Sequence, residues 1–190
     1  VERTKGRPLA TGAISAKQAL MLFAALVFVA FLLVLLLNTF TFWLSFIALG
    51  LAALYPFTKR FTYLPQLFLG AAFSWAIPMA FAASTETLPP AAWLLFTANL
   101  LWTVAYDTQY AMVDRDDDLK IGIRSTAILF GEADRMIIAM LQGMALFTLF
   151  LLGRQLGFGW GWWLGMAVAA GLFAWQFMFT RARDRDSCFK

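Results

Sequence analysis

AAWLLFTANLLWTVAYDTQYAMVDRDDD, residues 91–118, opens as a membrane helix and closes as an acidic one. The run from Ala91 to Ala105 is apolar, and the segment Tyr106–Asp118 that follows carries Asp107, Asp114, Asp116, Asp117 and Asp118, five of the chain's eleven acidic residues. Carboxylates at the edge of a membrane helix are costly, so their default reading is functional. The whole chain is 62% hydrophobic and 14% charged, against about 45–50% and about 25% in soluble domains. That composition marks an integral membrane protein. The fold expected is all-α, a polytopic helical bundle.

The acidic stretch has a helical geometry of its own. At about 100° per residue, Asp107, Asp114 and Asp118 fall within about 40° of one another on one face. Asp114 and Asp118 are one turn apart, close enough to share a divalent cation. Two bare carboxylates so placed repel; a hard cation relieves this. Mg²⁺ prefers oxygen ligands and bridges one or two carboxylates to substrate phosphates. The plain alternative is a solvated acidic loop between two membrane helices.

Composition also excludes several classes. The chain has no histidine, which removes imidazole metal sites, Ser-His-Asp triads and histidine general bases. Cys188 is the single cysteine, so there is neither a disulfide framework nor a cysteine zinc site. The net charge of +4 is no nucleic-acid signal, because the basic residues sit in loops rather than along one stripe. The first seventeen residues are polar and basic, and the apolar run after them is too long for the core of a cleavable signal peptide.

Outward from residues 91–118, apolar runs predict six helices in one membrane domain over residues 1–190: Lys17 to Leu37, Phe42 to Phe57, Pro65 to Ala83, Ala91 to Val113, Asp134 to Leu152 and Trp160 to Thr180. Ser15 followed by Gln18 forms the pattern of a capping box for the first. The second is short for a span, and Pro78 predicts a kink in the third. Asn99 lies mid-helix, where an amide serves as interhelical glue or as a site residue. Arg3, Lys5, Arg7, Lys17, Lys59, Arg60, Arg115, Lys120, Arg124, Arg135, Arg181, Arg183, Arg185 and Lys190 fall on one side of this scheme, leaving Arg154 alone on the other. The positive-inside rule then puts both termini and the aspartates in the cytoplasm.

Three groups converge on that face: the aspartates, the Tyr55–Arg60 turn with Lys59, and the basic N-terminal segment with Arg7. Carboxylates that hold a cation, flanked by Lys and Arg, are the parts needed to bind a diphosphate. Phe, Leu and Trp walls beside them suit a lipid tail. Lys and Arg that merely fix topology, and Tyr106 and Tyr110 as interfacial anchors, are the plain readings of the same residues. A cation-coupled transporter is the competing class. Against it, the helix centres lack paired charges along a path, and the acids sit at one face instead of the midplane.

YDTQYAMVDRDDDLKIGIRSTAILFG (106–131) closely resembles the second aspartate-rich motif of the UbiA family of intramembrane aromatic prenyltransferases. VERTKGRPLATG (1–12) resembles the stretch after that family's first aspartate motif, YPFTKR (55–60) its Tyr-x-x-x-Lys element, and LGAAFSWAIPMAFAA (69–83) the helix that follows. The resemblance runs end to end and is nearest to the proteobacterial branch that acts on 4-hydroxybenzoate in ubiquinone synthesis. It implies an all-helical fold, of nine helices when complete, in a bacterial inner membrane. It implies Mg²⁺-dependent transfer of a polyprenyl group from polyprenyl diphosphate to 4-hydroxybenzoate, with other aromatic acceptors as the alternative.

Carried over residue by residue, Asp114 and Asp118 would be Mg²⁺ ligands and Asp107 a further ligand or orienter. Lys59 would hold the diphosphate, with Tyr55 and Tyr110 beside it. Arg7, Arg60, Lys120 and Arg124 would serve diphosphate or the benzoate carboxylate. By the same resemblance, a first Asn-Asp-x-x-Asp-x-x-x-Asp motif is expected immediately before Val1 and a final helix after Lys190, so the 190 residues read as a fragment whose activity alone is doubtful.

Overall fold

The computed structural model describes residues 6–183 together with Cys188. Arg3, Lys5, Arg185 and Lys190 lie outside the described residues. Among those described, every regular element is helical: α1 (Ala16–Leu35), α2 (Thr39–Phe61), α3 (Pro65–Ser74), α4 (Ala76–Thr85), α5 (Pro90–Ile121), the short α6 (Thr126–Phe130), α7 (Asp134–Leu156) and α8 (Trp160–Phe179). The stretches Ala16–Leu35, Thr39–Phe61, Pro65–Thr85, Thr126–Leu156 and Trp160–Ala182 are long and apolar enough to cross a membrane. The chain is a multi-pass membrane protein.

The sixth long element, α5, spans 32 residues and stands at the centre, against α3 on one side and α7 on the other. Shielded from lipid by these neighbours, it tolerates the polar groups Asn99, Thr103, Thr108 and Gln109. Thr103, Thr108 and Gln109 are buried. The close fit to α3 depends on Gly70, where an added Cβ would stand 3.1 Å from the Leu100 carbonyl oxygen and 3.4 Å from Val104 Cγ2. Asn99 Nδ2 donates to Ser74 Oγ at 3.0 Å across the same seam, the interhelical bond expected of an amide there.

Local signals account for most helix ends. Ser15 and Gln18 form the expected capping box, with Gln18 N–H donating to Ser15 Oγ at 3.2 Å and Ser15 N–H to Gln18 Oε1 at 2.8 Å. Asn38 caps α2 by accepting from Thr41 N–H at 2.9 Å, and its Nδ2 donates to the Ala82 carbonyl at the end of α4. The third span is interrupted at Trp75, one turn ahead of Pro78. Proline lacks the N–H that would bond Ser74, and its ring crowds that carbonyl. The Trp75 indole N–H instead reaches the Leu44 carbonyl at 3.0 Å.

Two helices run longer than their sequence limits. The second continues through Pro56 to Phe61, so its length is ordinary for a span. The fourth continues two turns beyond Val113 to Ile121 and stops at Gly122, with φ at 71°. Gly122 N–H bonds Leu119 O and Ile123 N–H bonds Asp118 O, the paired pattern that a left-handed glycine completes. The aspartates therefore sit on a helix and not on a solvated loop.

A buried ion cluster ties the end of α5 to α7 and to the segment after α8. Asp134 is fully buried. It accepts from Arg115 Nη2 at 2.8 Å and from Arg183 Nε and Nη2 at 3.0 Å each. Arg115 also donates to the carbonyls of Ala127 and Gly131 at 2.6 Å, which pins α6 against α5. Hydrogen bonding to Asp134 raises the Arg183 pKa against the opposing pull of desolvation. Arg135 reaches the Phe177 carbonyl and lies over that residue's ring.

Candidate active site

The end of the bundle carrying this cluster also holds a polar cavity of about 390 Å³. Asp107, Asp114 and Asp118 line it from α5, Tyr55 and Lys59 from α2, Gln66 from α3, and Arg7 from the N-terminal segment. The helical continuation to Ile121 is what puts the three carboxylates on one wall. Asp118 is only 7% exposed. Asp116 is exposed on another face, and Asp117 pairs with Lys120 at 3.7 Å.

The loop after α5 folds back on the α2–α3 corner and fixes the opposite wall. Arg124 N–H donates to the Lys59 carbonyl at 3.2 Å and Arg124 Nη1 to the Phe61 carbonyl at 2.8 Å. Its guanidinium lies 5.0 Å from the Tyr63 ring centre. Thr126 N–H donates to Gln66 Oε1 at 3.2 Å, and the Thr126 and Thr108 hydroxyls bond at 2.6 Å. Lys59 is thereby held across the cavity from the carboxylates.

Of the residues expected at the site, Asp107, Asp114, Asp118, Lys59, Tyr55, Tyr110 and Arg7 line this cavity. Arg60 is exposed and is absent from its wall. Lys120, with its side chain 73% exposed, pairs outward with Asp117. Arg124 is engaged by the Lys59 and Phe61 carbonyls at the end of α2 and by Tyr63, a structural strap beside the cavity. Gln66, Ala111 and Ile123 line the wall without having been expected. Gln66 has a sequence signal: it is a polar residue directly after Pro65 in the first turn of a largely apolar helix.

The donor set fits a hard cation. Carboxylate oxygens one turn apart border a cavity with no imidazole or thiolate on its wall. Among the described residues no group of three or more acidic, His or Cys side chains is gathered tightly enough to cage a metal by itself. Mg²⁺ typically keeps several waters and takes further ligands from substrate phosphates.

Behind the polar cavity lies a larger chamber of about 630 Å³, and Tyr110 borders both. Trp102, Tyr106 and Tyr110 climb one face of α5 towards the aspartates, with ring centres 5.6 and 5.9 Å apart. Phe73, Leu172, Phe173 and Trp175 supply much of the remaining wall. Tyr106 and Tyr110 are therefore cavity-lining residues rather than interfacial anchors alone.

A membrane-embedded helical bundle that sets a carboxylate- and cation-lined cavity beside an aromatic chamber, with Tyr110 on the wall of both, defines the class. Residues 1–190 match the UbiA prenyltransferase family, and the chain belongs to that family. It is 66% identical over 189 residues to the 4-hydroxybenzoate octaprenyltransferase of Alcanivorax borkumensis, covering 100% of this chain and 65% of that protein. To the protein of the same name from Pseudomonas syringae pv. tomato it is 62% identical over 190 residues, covering 100% of this chain and 64% of that one. The apo structure of a UbiA homolog from Aeropyrum pernix K1 superposes with a TM-score of 0.87 at 28% identity, covering 100% of this chain and 72% of that chain. The chain thus spans about 65% of the length of the first of these relatives.

Proposed function

We propose that the protein transfers a polyprenyl group from polyprenyl diphosphate to the ring of 4-hydroxybenzoate, the prenylation step of ubiquinone biosynthesis. The observation that carries this reading is the pair of neighbouring cavities: Asp107, Asp114 and Asp118 share one with Lys59 and Arg7, and Tyr110 borders both it and the aromatic chamber. The names of these two relatives support the donor and acceptor classes.

In this reading the diphosphate lies between the α5 carboxylates and the Lys59 and Arg7 cations, with its isoprenoid tail along Trp102, Tyr106 and Tyr110. Bound Mg²⁺, held by Asp114 and Asp118 with Asp107 beside them, would neutralise the charge that develops on the leaving group. The Lys59 ammonium adds to that stabilisation from the opposite wall. The allylic C–O bond breaks with its electron pair leaving on diphosphate. The electron-rich ring carbon ortho to the phenol forms the new C–C bond, and the proton displaced from that carbon passes to diphosphate or to a site carboxylate. Tyr106 and Tyr110 face the allylic cation with their ring π-systems and keep water away.

The distribution of Lys and Arg supports a cytoplasmic location for this end of the bundle and for both termini, and the bacterial sources of the relatives support an inner-membrane location. The test is to supply membranes bearing the gene product with labelled polyprenyl diphosphate, 4-hydroxybenzoate and Mg²⁺. Prenylated 4-hydroxybenzoate is the expected product. Product from a naphthoate or homogentisate but not from 4-hydroxybenzoate would overturn the acceptor, and no transfer to any ring would overturn the function.

A further inference from the structure

Two primary amides face the chamber below the aspartates, and the transfer chemistry described above gives them no task. Gln142 Nε2 donates to Gln176 Oε1 at 2.7 Å, joining α7 to α8. Gln142 is only 4% exposed, and both side chains line the same chamber as Tyr106 and Tyr110. Their depth follows from the ion cluster. Arg115 and Asp134 are in contact where α5 and α7 run antiparallel. Asp107 lies eight residues back along α5 and Gln142 eight residues on along α7, each about 12 Å from that contact at 1.5 Å per residue. The amides therefore stand about level with Asp107 along the bundle, on the wall of the aromatic chamber.

One shared hydrogen bond uses one of two N–H groups on Gln142 and one acceptor position on Gln176. Among the described residues the two side-chain amides make no other hydrogen bond. Each keeps both donor and acceptor capacity. That unused capacity opens into the chamber, since neither amide has a buried side-chain nitrogen or oxygen left without a partner. A role confined to tying α7 to α8 would be served equally by a pair turned away from the chamber.

Resting on the functional reading above, we propose that the Gln142–Gln176 pair recognises the phenolic hydroxyl of the aromatic acceptor. The chemistry favours a neutral group that both donates and accepts. No Lys or Arg is among the described residues lining the chamber, so a carboxylate there would lack a counter-charge from them. A phenol donates to an amide oxygen and accepts from an amide N–H at once. Anchoring the hydroxyl at this depth holds its ortho carbon near the place where the diphosphate leaves, with Tyr110 between the two compartments.

The test pairs two ligands with two variants, using the gene product in membranes. Benzoate, which has the carboxylate but not the hydroxyl, is assayed as an inhibitor against 4-hydroxybenzoate. Gln142→Met keeps the side-chain volume and apolar packing; Gln176→Met does the same on the less buried partner. Loss of one such hydrogen bond should raise the KM for 4-hydroxybenzoate about tenfold. The inhibition constant of benzoate and the KM for polyprenyl diphosphate should stay within about twofold, which also reports that the variants fold. An unchanged KM for 4-hydroxybenzoate in both variants overturns this assignment alone. Equal weakening of benzoate and 4-hydroxybenzoate also overturns it, because a hydroxyl contact would distinguish them. Absence of any transfer by the unmutated protein overturns the functional reading, and the assignment with it.

Discussion

Asp134→Ala should be the most damaging single change outside the cavity wall. The carboxylate is fully buried and takes both Arg115 and Arg183. Removing one partner of a buried charge pair costs roughly 3–5 kcal/mol, because the remaining charges stay desolvated. Here the lower end applies. The Arg183 side chain is 29% exposed and rehydrates, and Arg115 keeps its bonds to the Ala127 and Gly131 carbonyls. About 3 kcal/mol is a shift of roughly two orders of magnitude in the unfolding equilibrium. Glu132 also approaches Arg183, at 3.1 Å, but its side chain is 86% exposed; Glu132→Gln should cost no more than about 1 kcal/mol. Denaturant unfolding in detergent micelles, followed by tryptophan fluorescence, measures both variants. Asp134→Ala within about 1 kcal/mol of the parent, or Glu132→Gln as damaging as Asp134→Ala, would refute the reasoning.

Three further outcomes are expected. Gly70→Val should destabilise by about 1–3 kcal/mol in the same assay, because its side chain meets the Leu100 backbone and forces α3 from α5; a neutral Gly70→Val would mean that the seam is loose. Lys59→Ala should raise the KM for polyprenyl diphosphate roughly tenfold through loss of a charge-assisted contact, while the outward-facing Lys120→Ala stays within about twofold; equal effects would contradict the placement of Lys59. Reporter fusions after Lys59 and after Thr85, which flank the broken α3–α4 span, should report opposite sides of the membrane, and same-side signals would refute the topology.

What could be read from the sequence was what depends on neighbours within about three turns of one helix. The Ser15–Gln18 box and the common face of Asp107, Asp114 and Asp118 are of this kind, since a helical period fixes both. The acidic run hid the true end of α5: charges argue for solvent, whereas Gly122 marks the stop. The break at Trp75 falls a turn before Pro78 because the missing N–H belongs to a bond made backwards along the chain.

Contacts distant in sequence left no such trace. Arg124 carries the charge of a phosphate ligand, but its partner is the Phe61 carbonyl, sixty-three residues earlier. Arg115 and Arg183 meet at Asp134 only because α5, α7 and the end of α8 converge. Gln142 and Gln176 stand 34 residues apart in sequence, and only the packing of α7 on α8 brings them to one chamber.

The carboxylate face of α5 is the centre of this account, and Mg²⁺-dependent binding of a polyprenyl diphosphate tests it most directly. Binding to the purified gene product is measured by calorimetry for the parent and for Asp114→Asn, Asp118→Asn and Asp116→Asn. Asp114 and Asp118 line the cavity, whereas Asp116 is exposed on another face of the same helix. Loss of a charged ligand worth about 1.5–3 kcal/mol predicts weakening of roughly tenfold to a hundredfold for Asp114→Asn and Asp118→Asn, with Asp116→Asn within about threefold of the parent. Equal weakening by all three, or parent-like binding by Asp118→Asn, would contradict the assignment.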